Sequence, residues 1–154
     1  MLNISILLST YKGSRYLKNQ LDSLMAQTYK VFDIIARDDG SSDSTLKILK
    51  SYDVEVLDIN QNLGAKGSFS ELLSYAVANS DSEYFMFCDQ DDVWHDKKVE
   101  KTLAKMQEME QQFGNIPLLV HTNLEVVDES LNTINDSFMN FQKINPMKIN
   151  FITF

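Results

Sequence analysis

The chain has 154 residues, 44% of them hydrophobic, with 14 basic and 22 acidic side chains and a formal net charge of −8. That length suits one ordinary domain with a real core. The acidic balance excludes a protein that tracks a nucleic-acid backbone, which needs a basic face. A single cysteine, Cys88, excludes an internal disulfide and a cysteine zinc cluster and fits a reducing, cytoplasmic setting.

Asn3 to Ser9 is apolar and rich in strand formers, a first strand too short for a signal-peptide core. After the loop Tyr11-Lys12-Gly13-Ser14, residues Tyr16, Leu17, Leu21, Leu24 and Met25 recur at helical spacing. Phe32 to Ala36 reads as a second strand ending in Arg37-Asp38-Asp39-Gly40. Ser42 or Asp43 can then cap a helix carrying Leu46, Ile48 and Leu49. Val54 to Ile59 is a third strand, followed by the turn Asn60 to Gly64 and a helix with Phe69, Leu72, Leu73 and Ala76 on one face. Tyr84 to Cys88 reads as a buried fourth strand. A charged helix runs from Asp96 to about Phe113 and closes at Gly114, and Pro117 opens a further strand, Leu118 to His121, extending toward Val127. Alternating strands and helices with short connections predict an α/β fold with a mostly parallel sheet. No stretch approaches the ~18 apolar residues of a spanning helix. The end of the chain, Asn135 to Phe154, is too apolar for a solvated tail and is read as a domain cut through in mid-pattern, the alternative being a final helix packed on the sheet; it is also a candidate dimerisation surface.

The chemistry concentrates at two strand ends. Asp89, Asp91 and Asp92 fall within four residues directly after the fourth strand. Like charges packed so closely call for a cation, and an oxygen-only donor set suits Mg2+ or Mn2+. Such a metal could hold a diphosphate, which points to nucleotide-dependent group transfer. Asp38-Asp39 ends the second strand, and in a parallel sheet both acidic turns lie on the same side if their strands are neighbours. Other motifs fail. Val93 and Trp94 stand where a calcium loop from Asp89 needs an oxygen ligand and Gly. There is no P-loop and no dinucleotide fingerprint, and His95 and His121 lack zinc-site company. A phosphoacceptor receiver domain would need an acid pair where this chain has Ser9-Thr10-Tyr11. Trp94 is read as a packing anchor, Cys88 as a small buried residue, Arg37 as the partner of a nearby carboxylate, and Lys97, Lys98, Lys101 and Lys105 as a solvated helix face.

Taken in order, five pieces resemble the N-terminal half of a family 2 glycosyltransferase with the GT-A fold. They are Ile4 to Tyr11, Gln20 to Tyr29, Arg37 to Thr45, Asn62-Leu63-Gly64, and Phe87-Cys88-Asp89-Gln90-Asp91-Asp92. The Asp-Gln-Asp-Asp-Val-Trp version, with His121 to Asp128 later, looks most like bacterial rhamnosyltransferases of surface-polysaccharide assembly. The resemblance implies a donor-binding domain over residues 1–134, with 135–154 beginning an acceptor region that is missing. It implies a uridine- or thymidine-diphosphate sugar as donor, a glycan or lipid-linked acceptor reached by peripheral membrane contact, and inversion at the sugar. Ser9 and Tyr11 would line the base pocket, and Asp39 would accept the base imide N–H with Asp38 in support. Asp89 would reach the ribose side, Lys66 the diphosphate, and Asp91 and Asp92 the Mn2+ or Mg2+. The family's base lies beyond this region, and Asp128 and Glu129 fall too early to match it, so no catalytic base is assigned. The alternative is a nucleotide-binding module that transfers nothing.

Overall fold

A computed structural model describes residues 3–57, 61–114 and 116–145. The elements run β1 (Ile4–Thr10), α1 (Leu17–Met25), β2 (Phe32–Asp38), α2 (Thr45–Leu49), β3 (Glu55–Leu57), α3 (Gly64–Asn79), β4 (Tyr84–Asp89), α4 (Lys98–Phe113), β5 (Val126–Val127), β6 (Thr133–Asn135) and α5 (Phe138–Phe141). The chain divides into two compact units, residues 1–101 and 102–154.

The first unit is built on a four-stranded parallel sheet in the order β3-β2-β1-β4. The strand β1 is central and buried because both of its faces are apolar. Ile4, Ile6 and Leu8 point one way and Leu7 the other, all at most 1% exposed. Leu7 packs with Ile35, Leu57, Leu72 and Ala76, so α3 covers that face. Leu72 and Ala76 are one helical turn apart and both fully buried. Burying one such leucine is worth about 1.5–3 kcal/mol. Leu17, Leu21 and Leu24 give α1 an equally buried stripe. On the face opposite α3, Gln20 of α1 reaches Cys88, the register partner of Leu8.

The parallel α/β architecture follows the sequence reading, with four differences. Among the described residues the strand β4 pairs with β1 alone. Only Cys88 in it is buried, and Phe87 is 52% exposed with its ring edge-on to Phe69, so the strand is less covered than the buried strand expected. The position before α2 is Ser44, one residue past the reading, and it makes no capping bond; Asp43, one of the two residues read as the cap, accepts from Thr45 N at 3.1 Å and from the Thr45 hydroxyl. Lys98 does not belong to the solvated face of α4: it is half-buried, its ammonium 4.5 Å from the centre of the Trp94 ring. The strand expected over Leu118 to His121 is absent, and His121 is exposed.

In the second unit the strands β5 and β6 pair with each other, antiparallel. Asp128 shapes the hairpin turn by accepting from Ser130 N at 2.8 Å and Asn132 N at 2.9 Å, and Ser137 caps α5. The readings made on Asp58 to Asn60 and on residues 146–154 lie outside the described residues.

Candidate functional site

The strands flanking β1 end in the two acidic turns. The register pairs Thr10 with Asp38 on one side and Ser9 with Asp89 on the other. Both turns are also bonded to the backbone just past β1. Asp39 N donates to Thr10 O at 2.8 Å, and Gln90 pairs with both backbone groups of Tyr11, accepting from its N–H at 2.8 Å and donating to its C=O at 3.0 Å. The two acid clusters therefore share one rim at the C-terminal ends of the strands, where open α/β sheets bind ligands.

The first acidic turn is almost wholly consumed by internal bonds. Asp38 accepts from the hydroxyls of Thr10 and Ser41 and from Ser41 N at 2.9 Å, and it is 9% exposed. The turn closes at Gly40, whose φ of +83° suits a residue without Cβ. Asp39 is 3% exposed. Its Oδ1 accepts from the Arg37 guanidinium and from Leu63 N at 2.7 Å, and its Oδ2 accepts from Gly64 N at 2.8 Å. Two free donors at the start of α3 are thus satisfied by a carboxylate held against that helix end. Arg37, fully buried, also donates to Gln61 O, so the pairing read from sequence is present. Burial raises the Asp39 carboxyl, but the bonds from Arg37, Leu63 and Gly64 and the Arg37 charge outweigh it and leave the group below its ordinary range.

The Asp43 carboxylate and the hydroxyls following that turn hold the β1 loop. Lys12 N donates to Ser41 Oγ at 2.7 Å, Gly13 N to Thr45 Oγ1 at 2.8 Å and Ser14 N to Asp43 Oδ2 at 3.2 Å. These bonds hold Lys12 at a φ of +48°, a conformation uncommon for a residue with a side chain. Tyr11 is left 43% exposed with its backbone fixed, a wall available to a planar ring. Ser9 instead donates to Ser68 Oγ of α3 at 2.7 Å, and Lys66 stands exposed in the first turn of that helix.

The second acidic turn is the opposite case. Among the described residues the carboxylates of Asp89, Asp91 and Asp92 accept no hydrogen bond. Burial and the Asp91 charge raise Asp89; burial, then the charges of Asp89 and Asp91, raise Asp92, with Lys98 offsetting only part. The loop that follows is pinned to α1. Trp94, 5% exposed, donates its N–H to Ser23 Oγ at 3.0 Å. Gln27, fully buried, donates to His95 O at 2.8 Å and accepts from Val99 N at 3.0 Å. Trp94 is therefore a packing anchor. Cys88 is 1% exposed, and burial pushes its thiol far up, which suits a structural residue and not a nucleophile.

The glycosyl transferase family 2 model matches residues 5–144 of this chain. The chain belongs to that family. An uncharacterised glycosyltransferase of Rickettsia typhi is 30% identical over 131 residues, 85% of this chain and 39% of the relative. The Escherichia coli enzyme WfgD, a UDP-Glc:alpha-D-GlcNAc-diphosphoundecaprenol beta-1,3-glucosyltransferase, is 28% identical over 149 residues, 95% of this chain and 54% of that protein. The family 2 chain thus spans about two fifths to one half of the length of these relatives. The Staphylococcus aureus TarS structure in complex with UDP superposes with a TM-score of 0.61 at 23% identity, over 82% of this chain and 42% of that one. The sheet and its helices are those of the GT-A fold.

In this family 2 chain the donor set of the second turn is all oxygen, as a hard divalent ion requires. Among the described residues no group of three or more His, Cys, Asp or Glu side chains is placed to hold a metal ion. The oxygen donors of the second turn fit a hard divalent ion, with Asp91 and Asp92 as the candidate holders. Sequence reasoning missed Gln27 and Gln90 as residues that shape the site. Their partners lie 68 to 79 positions away, beyond any local pattern.

Proposed function

We propose that this chain carries the donor site of a metal-dependent, inverting glycosyltransferase. The donor is a uridine- or thymidine-diphosphate sugar, with rhamnose the first candidate sugar. The acceptor is a polysaccharide or a lipid-linked glycan, which brings the protein to the cytoplasmic side of a membrane. The observation that carries this reading is the joint anchoring of both acidic turns on Thr10 and Tyr11. The chemistry in WfgD's name, a UDP-sugar donor and a diphosphoundecaprenol acceptor, and the UDP in TarS support the donor and acceptor classes.

The residues divide the ligand between them. Tyr11 stacks on the pyrimidine. An ionised carboxylate offers about four acceptor positions, and three of those on Asp39 are already taken, which leaves one on Oδ2. A single acceptor matches the single imide N–H of uracil or thymine and finds no donor at that position of cytosine. Asp38 holds the turn that presents it, Ser9 lines the base pocket with Tyr11, Asp89 reaches the ribose side, and Lys66 approaches the diphosphate. Bound at Asp91 and Asp92, Mn2+ or Mg2+ supplies neutralisation of the charge that develops on the departing nucleoside diphosphate. The acceptor hydroxyl attacks opposite that leaving group, and its base is not assigned to any residue here.

Calorimetry with UDP, dTDP and CDP, each with and without Mn2+, tests the reading. Binding of UDP or dTDP that strengthens with Mn2+ and exceeds CDP is the expected result; equal binding of all three would remove Asp39 from the base pocket. The alternative reading is a nucleotide-binding module that transfers nothing. Metal-dependent UDP binding with neither sugar transfer nor donor hydrolysis would establish it.

A further inference from the structure

We propose that Gln90 is a positioning residue that joins the wall of the base pocket to the acidic loop, so that the two ends of a nucleoside diphosphate are gripped as one unit. The inference rests on the donor-site reading above. The β1–β4 ladder ends at the pair Ser9 and Asp89. Beyond it the backbone of Tyr11 pairs with no strand among the described residues, and the Gln90 side chain takes that place. Its amide accepts from Tyr11 N at 2.8 Å and donates to Tyr11 O at 3.0 Å, closing the two-bond ring that a neighbouring strand would form. Only a primary amide of this length offers a donor and an acceptor together; a carboxylate loses the donor, and Asn falls one methylene short.

The opposite side of the clamp is cleared for it. A Cβ on Gly13 would lie 2.1 Å from Gln90 Oε1 and 2.6 Å from Gln90 Cδ, so any side chain there must expel the amide. The absence of a side chain at residue 13 and the amide at residue 90 are two halves of one contact. The neighbours of Gln90 in sequence are Asp89 and Asp91, while its partner Tyr11 presents the exposed ring. Displacement of the Tyr11 backbone therefore moves the segment between those two carboxylates, and ordering of that segment steadies the ring.

The test uses uridine, which lacks phosphate and reaches only the base side, beside UDP with Mn2+. Both are titrated by calorimetry into the unaltered chain, Gln90→Leu, Gly13→Ala and the double variant. Amide hydrogen exchange on the ligand-free proteins runs in parallel. Loss of a hydrogen-bonded pair worth about 1 kcal/mol predicts uridine weakened about three- to tenfold by Gln90→Leu, an effect carried through the Tyr11 backbone. Gly13→Ala gives the same loss with the amide still present, and the double variant is no worse than either single one. Without ligand, Tyr11 N–H loses exchange protection in both variants while the amides of Ile6 and Leu7 keep theirs, which also shows that the sheet is folded. Unchanged uridine affinity in Gln90→Leu with weakened Mn2+–UDP would overturn the inference alone, making Gln90 a direct contact of the phosphate end. Unchanged Tyr11 exchange would overturn it too, whatever the ligands do. If the unaltered chain binds neither uridine nor UDP, the donor-site reading itself falls, and a coupling between halves of that ligand falls with it.

Discussion

The turn after β2 and the turn after β4 have similar composition and opposite electrostatics. Asp38 and Asp39 are buried among donors, and Asp39 stays ionised because Arg37 and two backbone N–H groups surround it. Asp89 is exposed and Asp92 half-buried, neither with a hydrogen-bond donor among the described residues; desolvation and the Asp91 charge raise Asp89, and desolvation with the charges of Asp89 and Asp91 raises Asp92. The first turn has its counter-charge built into the fold, and the second has only the partial offset of Lys98 at Asp92. An acid cluster at a strand end is therefore informative only once its donors are counted. By that count the β4 turn is the place where a cation would relieve repulsion, and the β2 turn is the place where shape is held.

Breaking the first turn should have the largest effect. Arg37→Leu leaves the Asp39 carboxylate buried without its cation, and loss of about 3–5 kcal/mol is expected in denaturant unfolding. A cost near zero would show that the two backbone donors suffice. The equivalent lesion in the second turn should spare the fold and abolish ligand response. Asp91→Ala is expected to keep or slightly raise the unfolding midpoint, while the Mn2+-dependent thermal shift with UDP disappears; a shift that survives would remove Asp91 from the site.

Acid should separate the turns as well. The native Asp39 carboxyl titrates below its unfolded value of about 3.9. Its contribution to stability is therefore complete above that value and is lost as pH falls through the depressed native one. Asp39→Asn should lower stability near neutrality and flatten the acid limb of a stability–pH curve measured by urea unfolding. An unchanged acid limb would mean that another carboxylate governs it. The smallest effect belongs to Lys66, exposed at the start of α3. Lys66→Ala should weaken UDP relative to uridine by about two- to fivefold, the scale of one exposed charge pair, measured at low salt. Equal losses for both ligands would take Lys66 away from the diphosphate.

Much of this contrast can be read from the linear chain, but its sign cannot. The runs Ile4 to Leu8 and Phe32 to Ala36 announce strands because both faces are apolar, and the spacing of Leu17, Leu21 and Leu24 announces α1. Arg37 beside two aspartates announces its own pairing. The Leu118 to His121 run misleads because local apolarity specifies a strand only where a neighbour exists to pair with it, and none forms there. Residues Tyr84 to Phe87 mislead in degree, since the cover over a strand is set by packing across the fold and leaves no trace in composition. The roles of Gln27, Gln90 and Gly13 depend on contacts across the fold, and polar residues in loops carry no period that would reveal them.

Cys88 lies 1% exposed, and burial holds its thiol in the protonated form. The sequence has no second cysteine. The native chain should accordingly be silent toward maleimide and other thiol reagents while folded. A cysteine introduced at an exposed position, such as Lys66, would then be the one reactive handle. A fluorophore or spin label could be attached there without first engineering away the native sulfur.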